Sequence, residues 1–228
     1  MTSPDGRCVP VSNAPHDCNL CPRLVDLRTE ARAKHPDWHN GPVDVWGDPH
    51  AKLMIIGMAP GMGGANRTGR PFTGDHAGNL LFATLSKAGL TRGTYDRRAD
   101  DGLILLDTLI ANVVRCVPPQ NKPVAAEVNN CRPFLQATLK EKAQAKTYFA
   151  LGRIAHDSFL TTLGLRRAAF PFSHGGCHDL GDNRVLFDSY HCSRYNTNTR
   201  RLTTQMFEKA LFDAAKHAQI GRWANTTS

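Results

Sequence analysis

Four cysteines constrain this chain more than any other feature of its sequence. Cys18 and Cys21 form a C-x-x-C pair near the N-terminus, and Cys116 and Cys131 follow far downstream. Two thiolates on one tight turn can hold one metal centre, and a distant pair can complete a four-thiolate shell. The pattern predicts that a metal site attaches the N-terminal segment to the middle of the fold. The spacing fits zinc and an iron–sulfur cluster equally well, and free structural thiols remain the alternative.

Length and composition predict one compact α/β domain. The chain has 228 residues, 41% of them hydrophobic, without repeats or low-complexity tracts, which is enough to bury a sizeable core. We expect a single domain over residues 1–228, with the C-x-x-C pair in an N-terminal segment over 1–50 and a flexible tail over 219–228. No apolar run approaches the roughly 20 residues of a membrane span, and no signal peptide is recognisable. We expect a monomer with no membrane partner.

Cysteine number and net charge indicate the compartment and the partner. Seven cysteines, an odd number, fit thiolate ligands in a reducing cytoplasm better than a disulfide framework, and Cys8, Cys177 and Cys192 are left over from the metal site. The 28 Lys and Arg residues exceed the 20 Asp and Glu residues, which gives a net charge of +8. This charge favours a polyanionic partner such as nucleic acid, although it also suits an ordinary basic enzyme.

Strands and helices alternate along the predicted secondary structure. Apolar runs predict strands at 53–56, 108–114, 147–151 and 184–188, and helical patterns predict helices over 22–33, 77–88, 125–139, 154–163 and 203–217. Such alternation implies a mostly parallel sheet with helices on both faces and a site at the carboxyl ends of its strands. We therefore expect the loops after Ile56, Val114 and Ser189 to converge.

The loop after the first of these strands, over residues 57–75, is rich in glycine. So many glycines after a buried strand indicate that the backbone approaches a ligand closely or adopts positive φ. A nucleotide-binding loop fails on detail: Gly64 and Gly69 have Walker spacing, but Arg70-Pro71 stands where Lys-Ser/Thr is required. The same loop carries Phe72, which can stack on a planar group. This combination suits a nucleobase in a nucleic acid better than a free nucleotide.

A third stretch, over residues 189–199, follows the last predicted strand. It contains His191, Ser193 and Asn196 in an H-x-S-x-x-N pattern. A histidine with hydroxyls and amides on an irregular loop can donate hydrogen bonds to a developing anion and to phosphates.

The glycine-rich loop, the H-x-S-x-x-N pattern and the four cysteines together resemble the uracil-DNA glycosylase superfamily, and within it the iron–sulfur branch called family 5 or type b. The similarity covers most of residues 15–205. It implies an α/β/α sandwich, a [4Fe–4S] cluster on the four cysteines, and excision of uracil and other deaminated bases from DNA in a prokaryotic cytoplasm, at the nucleoid. Two positions depart from the pattern: Met58 stands where family 4 has Glu, and Cys192 replaces the usual proline.

Breaking an N-glycosidic bond places positive charge on the sugar and negative charge on the departing base. The reaction therefore needs a carboxylate near the sugar and an anion stabiliser at the base, and the base must be flipped out of the helix and held, typically by an aromatic ring. The predicted catalytic residues are Asp75, His191 and Asn121; the predicted substrate contacts are Gly57, Ala59, Phe72, Asn112, His174 and Asn196; and the predicted DNA contacts are Arg67, Arg70, Ser193 and Arg194.

Several of these residues have a simpler structural interpretation. Asp75 precedes a predicted helix and would make a good N-cap, Phe72 suits the core, and Asn121 suits a turn. Two other functional classes also remain open. One is a non-catalytic iron–sulfur relative that binds DNA, and the other is a phosphate-binding nucleotide hydrolase.

Overall fold

The computed structural model describes residues 12–224, so Cys8 and the last four residues lie outside the described part of the chain. The helices are α1 (Pro22–Lys34), α2 (Ala65–Thr68), α3 (His76–Lys87), α4 (Ala125–Glu141), α5 (Arg153–Thr162), α6 (Arg194–Asn198) and α7 (Thr204–His217). The strands are β1 (Trp46–Gly47), β2 (Leu53–Gly57), β3 (Thr91–Arg92), β4 (Ile104–Leu105), β5 (Thr108–Asn112), β6 (Thr147–Leu151), β7 (Cys177–Asp179) and β8 (Val185–Ser189). Short 3-10 turns lie at Pro119–Asn121, Arg167–Ala169 and Gly221–Trp223.

Six strands form the central sheet in the order β1-β5-β2-β6-β8-β7. The four inner strands are parallel, and the short edge strands β1 and β7 run antiparallel to their neighbours. In register, Ile55 of β2 lies between Ile110 of β5 and Phe149 of β6. Since the inner strands run in one direction, their carboxyl ends meet at one edge of the sheet, as the alternating sequence pattern predicts.

The sheet separates two hydrophobic cores, because successive side chains of a strand point to opposite faces. Leu53 and Ile55 pack with α3 and α7 on one face. Met54 and Ile56 pack with α1, α4 and α5 on the other. Residues along β2 are buried throughout, which explains its continuous apolar run. This three-layer α/β/α arrangement confirms the predicted fold class.

The predicted helices and strands all occur, with ends that differ by a few residues. The predicted strand over 108–114 ends at Asn112, where the chain turns into the cleft described below. The flexible tail expected over 219–228 is wrong as far as residue 224. Ile220 is fully buried, the amide of Arg222 donates to the carbonyl oxygen of Ala88 at 3.0 Å, and Trp223 packs on Phe212. None of the described helices is long and apolar enough to cross a membrane.

Candidate active site and cysteine site

A cleft of about 1130 Å³ opens at the carboxyl ends of the inner strands. It is bordered by the loops after β2, β5 and β8, which were predicted to converge, and also by the loop after β6, which was not. Ten predicted site residues line it: Ala59, Phe72, Asp75, Asn112, Asn121, His174, His191, Ser193, Arg194 and Asn196. Gly57 lies behind this lining, where a Cβ atom would come within 2.2 Å of Asn112 Oδ1, so only glycine permits the close packing there.

The side chain of Asp75 is held by the glycine-rich loop and does not cap α3. Asp75 occupies the N-cap position of that helix, but its side chain makes no capping hydrogen bond. Instead, its carboxylate accepts hydrogen bonds from the backbone N–H groups of Gly61 and Ala65. The carboxylate also lies against Gly64, where a Cβ atom would be 1.9 Å from Asp75 Cγ. The loop therefore approaches its own carboxylate closely, and this approach requires glycine at position 64.

Burial makes this carboxylate more basic than an ordinary aspartate. Removal from water raises the pKa of Asp75, and the two backbone N–H groups together with the charges of Arg67 and Arg97 offset the rise only in part. Such a carboxylate is well suited to accept a proton, because its pKa lies closer to neutral pH.

Phe72 belongs both to the core and to the wall of the cleft, so a core position is compatible with the predicted contact between its ring and a substrate. Its side chain is 7% exposed, and its backbone has a positive φ of 57°. The hydroxyl of Tyr95 donates to the carbonyl oxygen of Phe72 at 3.3 Å and accepts from the amide of Gly74 at 3.2 Å. These bonds hold the backbone between Phe72 and Asp75. The Phe72 ring stacks near His191, with centroids 6.1 Å apart and planes 28° apart.

His191 is a neutral imidazole facing the cleft. Its burial lowers the pKa of the ring to about 4, so the ring is uncharged at neutral pH. No described residue hydrogen-bonds to its ring, which leaves an N–H group available to a ligand. The side-chain amide of Asn196 donates to the His191 carbonyl oxygen at 2.8 Å, and Ser193 caps α6 by accepting from the Asn196 amide. Asn196 and Ser193 thus hold in place the loop that carries His191, which we call the histidine loop.

Two asparagines approach the cleft from β5 and from the turn that follows it. Asn112 is 2% exposed, and its Oδ1 atom has no hydrogen-bond partner among residues 12–224. A buried acceptor without a partner is costly, so this oxygen is suited to receive a donor from a ligand. Asn121 is exposed in the 3-10 turn with a φ of 55°, so its turn role and its place in the cleft are compatible.

The prediction that Arg70 contacts DNA is wrong. Arg70 is 4% exposed and forms a two-pronged ion pair with Asp101, with both N–O distances at 2.8 Å. Its Nε atom donates to Thr73 Oγ1, and its guanidinium lies over the ring of Trp46. The guanidinium in turn holds the pKa of Asp101 well below its usual range. Arg67 is exposed next to Gly74 and Asp75, outside the cleft lining.

Further cations that the sequence did not single out border the cleft. The guanidinium of Arg153 lies 5.4 Å from the ring centre of Phe172, and that of Arg201 lies 4.5 Å from the ring centre of Tyr190. Both arginines and Lys122 line the cleft. No sequence pattern identifies these pairs, because each arginine and its ring come from different segments of the chain.

The four cysteines Cys18, Cys21, Cys116 and Cys131 line one small, largely apolar cavity between α1, α4 and the segment after β5. Polar groups donate to their sulfur atoms: the Arg115 amide to Cys131 at 3.3 Å, Asn130 to Cys21 at 3.8 Å, and Arg28 to Cys116 at 3.9 Å. Such N–H···S contacts commonly surround metal-bound thiolates. The structure thus brings the two predicted cysteine pairs together.

Burial raises the pKa of Cys116 to about 12 and that of Cys131 to about 11, with the charges of the other cysteines as a smaller contribution. These thiols would stay protonated on their own, whereas a metal centre would replace their protons.

Comparison with known proteins identifies the family. The sequence profile of the uracil DNA glycosylase superfamily matches residues 45–215. The chain belongs to this superfamily. A type-5 uracil-DNA glycosylase of Thermus thermophilus is 42% identical over 209 residues, which cover 89% of this chain and 94% of that protein. A type-5 uracil-DNA glycosylase of Pyrobaculum aerophilum is 39% identical over 206 residues, which cover 89% of each chain. A type-4 uracil-DNA glycosylase of Pyrobaculum aerophilum is 33% identical over 133 residues, or 58% of this chain and 60% of that protein. The resemblance to the type-5 branch is confirmed.

The two departures from the superfamily pattern have different consequences in the structure. Met58 lines the cleft, so no carboxylate occupies the position of the family 4 glutamate. Cys192 is fully buried in the core beneath the histidine loop, and its burial raises the pKa of the thiol to about 12. The thiol is therefore an inert apolar group, and Ser193 and Asn196 hold the loop where the family has proline.

Proposed function

We propose that this chain is a DNA glycosylase that hydrolyses the N-glycosidic bond of uracil and of other deaminated bases in DNA, leaving an abasic site. The observation that carries the proposal is the presence, in one cleft, of the basic carboxylate of Asp75 and the neutral imidazole of His191. The names of the type-5 relatives support the same reaction.

On the base side of the cleft, the proposed roles follow from geometry and hydrogen-bonding capacity. A flipped base enters the cleft and stacks on the exposed part of the Phe72 ring. The unpartnered Oδ1 atom of Asn112 accepts from the imide N–H of uracil. His191 donates its N–H to a base carbonyl oxygen, and this bond strengthens as negative charge develops on the departing base. Asn121 offers a further amide at the edge of the base.

On the sugar side, Asp75 acts on the water. As the glycosidic bond weakens, positive charge grows on the sugar, and the carboxylate stabilises it. Water attacks C1′ and gives its proton to Asp75, while the base leaves as an anion bound to His191 and later takes a proton from solvent. Because the amides of Gly61 and Ala65 fix the carboxylate, no reorganisation is needed when the charge appears.

The proposed DNA partner is held by the cations that border the cleft. Arg153, Arg194, Arg201 and Lys122 all line it, and the net charge of +8 favours a polyanion. Arginines stacked on rings are pre-ordered, so they lose little side-chain freedom when they bind a phosphate. We further propose that the protein works as a monomer at the nucleoid, in a prokaryotic cytoplasm.

We also propose that Cys18, Cys21, Cys116 and Cys131 hold a [4Fe–4S] cluster, as the resemblance to the iron–sulfur type-5 branch implies. The proposal is supported by the meeting of the two cysteine pairs in one cavity and by the N–H groups that donate to their sulfur atoms. A bound cluster would supply structural support, because its ligands lie in segments far apart in sequence. No step of the proposed reaction passes through it.

Two alternatives are disfavoured by specific features. A non-catalytic relative would not require the basic Asp75 and the neutral His191 in one cleft. A nucleotide hydrolase would need the amides of the glycine-rich loop for phosphate, but those of Gly61 and Ala65 bind the carboxylate of Asp75, which would repel a phosphate.

The test is incubation with duplexes that carry uracil, hypoxanthine or ethenocytosine opposite each normal base, followed by alkali to cleave abasic sites. We expect strand cleavage at uracil. Asp75→Asn should lower the single-turnover rate by about a hundredfold or more, as expected for loss of a general base, and should leave DNA affinity nearly unchanged. Asp96→Asn, which changes an exposed carboxylate, is the control. Absence of cleavage on every duplex would favour the non-catalytic relative.

A further inference from the structure

A second group of titratable side chains lies behind one wall of the cleft and takes no part in the proposed chemistry. It consists of His156 on α5, Asp188 on β8 and His178 on β7. The side chains of His156 and Asp188 have no exposed surface, and that of His178 is 12% exposed. The Asp188 carboxylate lies between the rings, 2.7 Å from His156 Nδ1 and 2.8 Å from His178 Nε2. These N–O distances are those of strong hydrogen bonds.

The hydrogen bonds of His156 fix the number of protons that His156 and Asp188 hold together. Its Nδ1 atom contacts the Asp188 carboxylate, and its Nε2 atom lies 2.8 Å from the carbonyl oxygen of Phe170. A carbonyl oxygen and an ionised carboxylate only accept hydrogen bonds, so both ring nitrogens must donate. A ring that donates twice is an imidazolium. Transfer of one proton to Asp188 would leave the total unchanged, because the pair holds two protons in either arrangement.

The same cluster holds the segment that forms one wall of the cleft. The backbone amide of Asp188 donates to the carbonyl oxygen of Gly176, and the Gly175 amide donates to the carbonyl oxygen of Asp188, both at 2.9 Å. At the other end of the segment, His156 binds the Phe170 carbonyl oxygen. Between these attachments lie Phe172, Ser173 and His174, which line the cleft. The segment over 170–176 contains no helix or strand, so its contacts with neighbouring elements hold it in place. These bonds fix its two ends, and the amide of Tyr190, which donates to His174 Nδ1 at 3.2 Å, attaches its middle.

We propose that His156 is a buried imidazolium and that His156 and Asp188 form a positioning pair, which fixes the cleft wall of Phe172, Ser173 and His174. The proposal rests on the proposed function only in that this wall would contact DNA. His156 itself touches no residue of the catalytic group. Its ring meets the ring of Phe172 edge-on, with centroids 5.5 Å apart, so His156 packs against the Phe172 side chain from behind the cleft wall.

The surroundings of His156 favour the charged form. Burial alone lowers the pKa of His156, but the hydrogen bond and charge of Asp188, the Phe170 carbonyl and the charge of Asp157 outweigh it and raise the pKa above its usual value. His178 faces the same carboxylate from β7, and Asp157 is itself 3.8 Å from Arg167. Because the folded-state pKa is raised, the pair stabilises the fold fully below the usual histidine pKa of about 6.5 and loses this contribution as pH rises through the raised value.

The first test measures protonation directly, without DNA. In long-range ¹H–¹⁵N spectra of the ¹⁵N-labelled holoprotein at neutral pH, both nitrogens of His156 should show the shifts of protonated nitrogen. The His156→Gln spectrum assigns the signals. One protonated and one unprotonated nitrogen would overturn the proposal. A metal ion that His156, His178 and Asp188 retain after removal of any metal held by the cysteines would also overturn it.

The second test separates positioning from simple loss of stability. Asp188→Asn keeps the size of the side chain but removes its charge and offers an N–H group to one histidine donor. Asp157→Asn is the matched control, because it removes a nearby charge outside these hydrogen bonds. We expect Asp188→Asn to speed amide exchange over residues 170–176 by about tenfold and to raise KM for uracil-containing duplex by a similar factor, with little change in kcat. Unchanged exchange and KM would overturn the positioning role.

His156→Gln covers the case in which Asp188→Asn fails to fold. A glutamine amide reaches either the carboxylate or the Phe170 carbonyl but not both, so the same rise in exchange and KM is expected. An enzyme with wild-type values in this variant would again refute the proposal. If no duplex is cleaved by the wild-type protein, the proposed function fails, while the nitrogen shifts and the exchange rates still decide the present inference.

Discussion

Replacing Gly64 with alanine should move the carboxylate of Asp75 without removing it. A Cβ atom at position 64 would lie 1.9 Å from Asp75 Cγ and about as close to both carboxylate oxygens. Non-bonded carbon atoms do not approach below about 3 Å, so the carboxylate must shift by about 1 Å. Misplacement of a reacting group by this distance costs about a hundredfold in rate, or roughly 2.7 kcal/mol of transition-state stabilisation.

Gly63 provides the matched control, because a Cβ atom there meets no heavy atom within 4 Å. The assay is single-turnover cleavage of a uracil-containing duplex by Gly64→Ala, Gly63→Ala and the wild type, with Tm and DNA affinity measured for each. We expect a loss of about a hundredfold only in Gly64→Ala, with DNA affinity retained. A rate within about twofold of wild type for Gly64→Ala would refute the argument that the loop fixes the carboxylate.

Three further outcomes follow from the structure. Cys131→Ala should release the proposed cluster and lower Tm, because Cys131 would tie α4 to the N-terminal segment through it. Replacement of the exposed Cys177 with alanine should leave the metal content and Tm unchanged; metal analysis and calorimetry decide. Arg153→Ala should reduce the slope of log affinity against log salt by about one, and an unchanged slope would exclude a phosphate contact. In a pH profile of kcat/KM, the rate should fall as pH drops through the raised pKa of Asp75, since its carboxylate gains a proton, and a flat acid limb would contradict its role as a base.

Long, buried elements were predictable from the sequence, and short or edge elements were not. The runs over 53–56 and 147–151 are apolar because both faces of the inner strands are covered, so the parallel sheet followed directly. The antiparallel edges β1 and β7 contain two and three residues, which is too few to show any periodicity. Residues 219–224 were predicted to form part of a flexible tail because only two isolated apolar residues, Ile220 and Trp223, pack there, and two residues show no periodicity.

The part of the candidate site that lies on loops after parallel strands was predictable from the sequence. Asp75 and His191 follow different inner strands, so a parallel sheet necessarily brings their loops to the same edge. Partners distant in sequence were not predictable. The role of Arg70 depends on Asp101, and an arginine in a loop is indistinguishable by sequence from one that binds phosphate. The stacking of Arg153 on Phe172 was hidden for the same reason.

The placement of charge in the glycine-rich loop is the reason for assigning most of the proposed phosphate binding to other walls of the cleft. The amides of Gly61 and Ala65 bind the carboxylate of Asp75, and the guanidinium of Arg70 is held by its ion pair with Asp101. Arg67 is therefore the one arginine of this loop whose side chain is exposed, and it lies outside the cleft lining. The cations that line the cleft itself come from its other walls, such as Arg153 and Arg201. Binding of the DNA backbone and activation of water are therefore assigned to different walls, which is why substitutions on one wall should alter affinity and those on the other should alter rate.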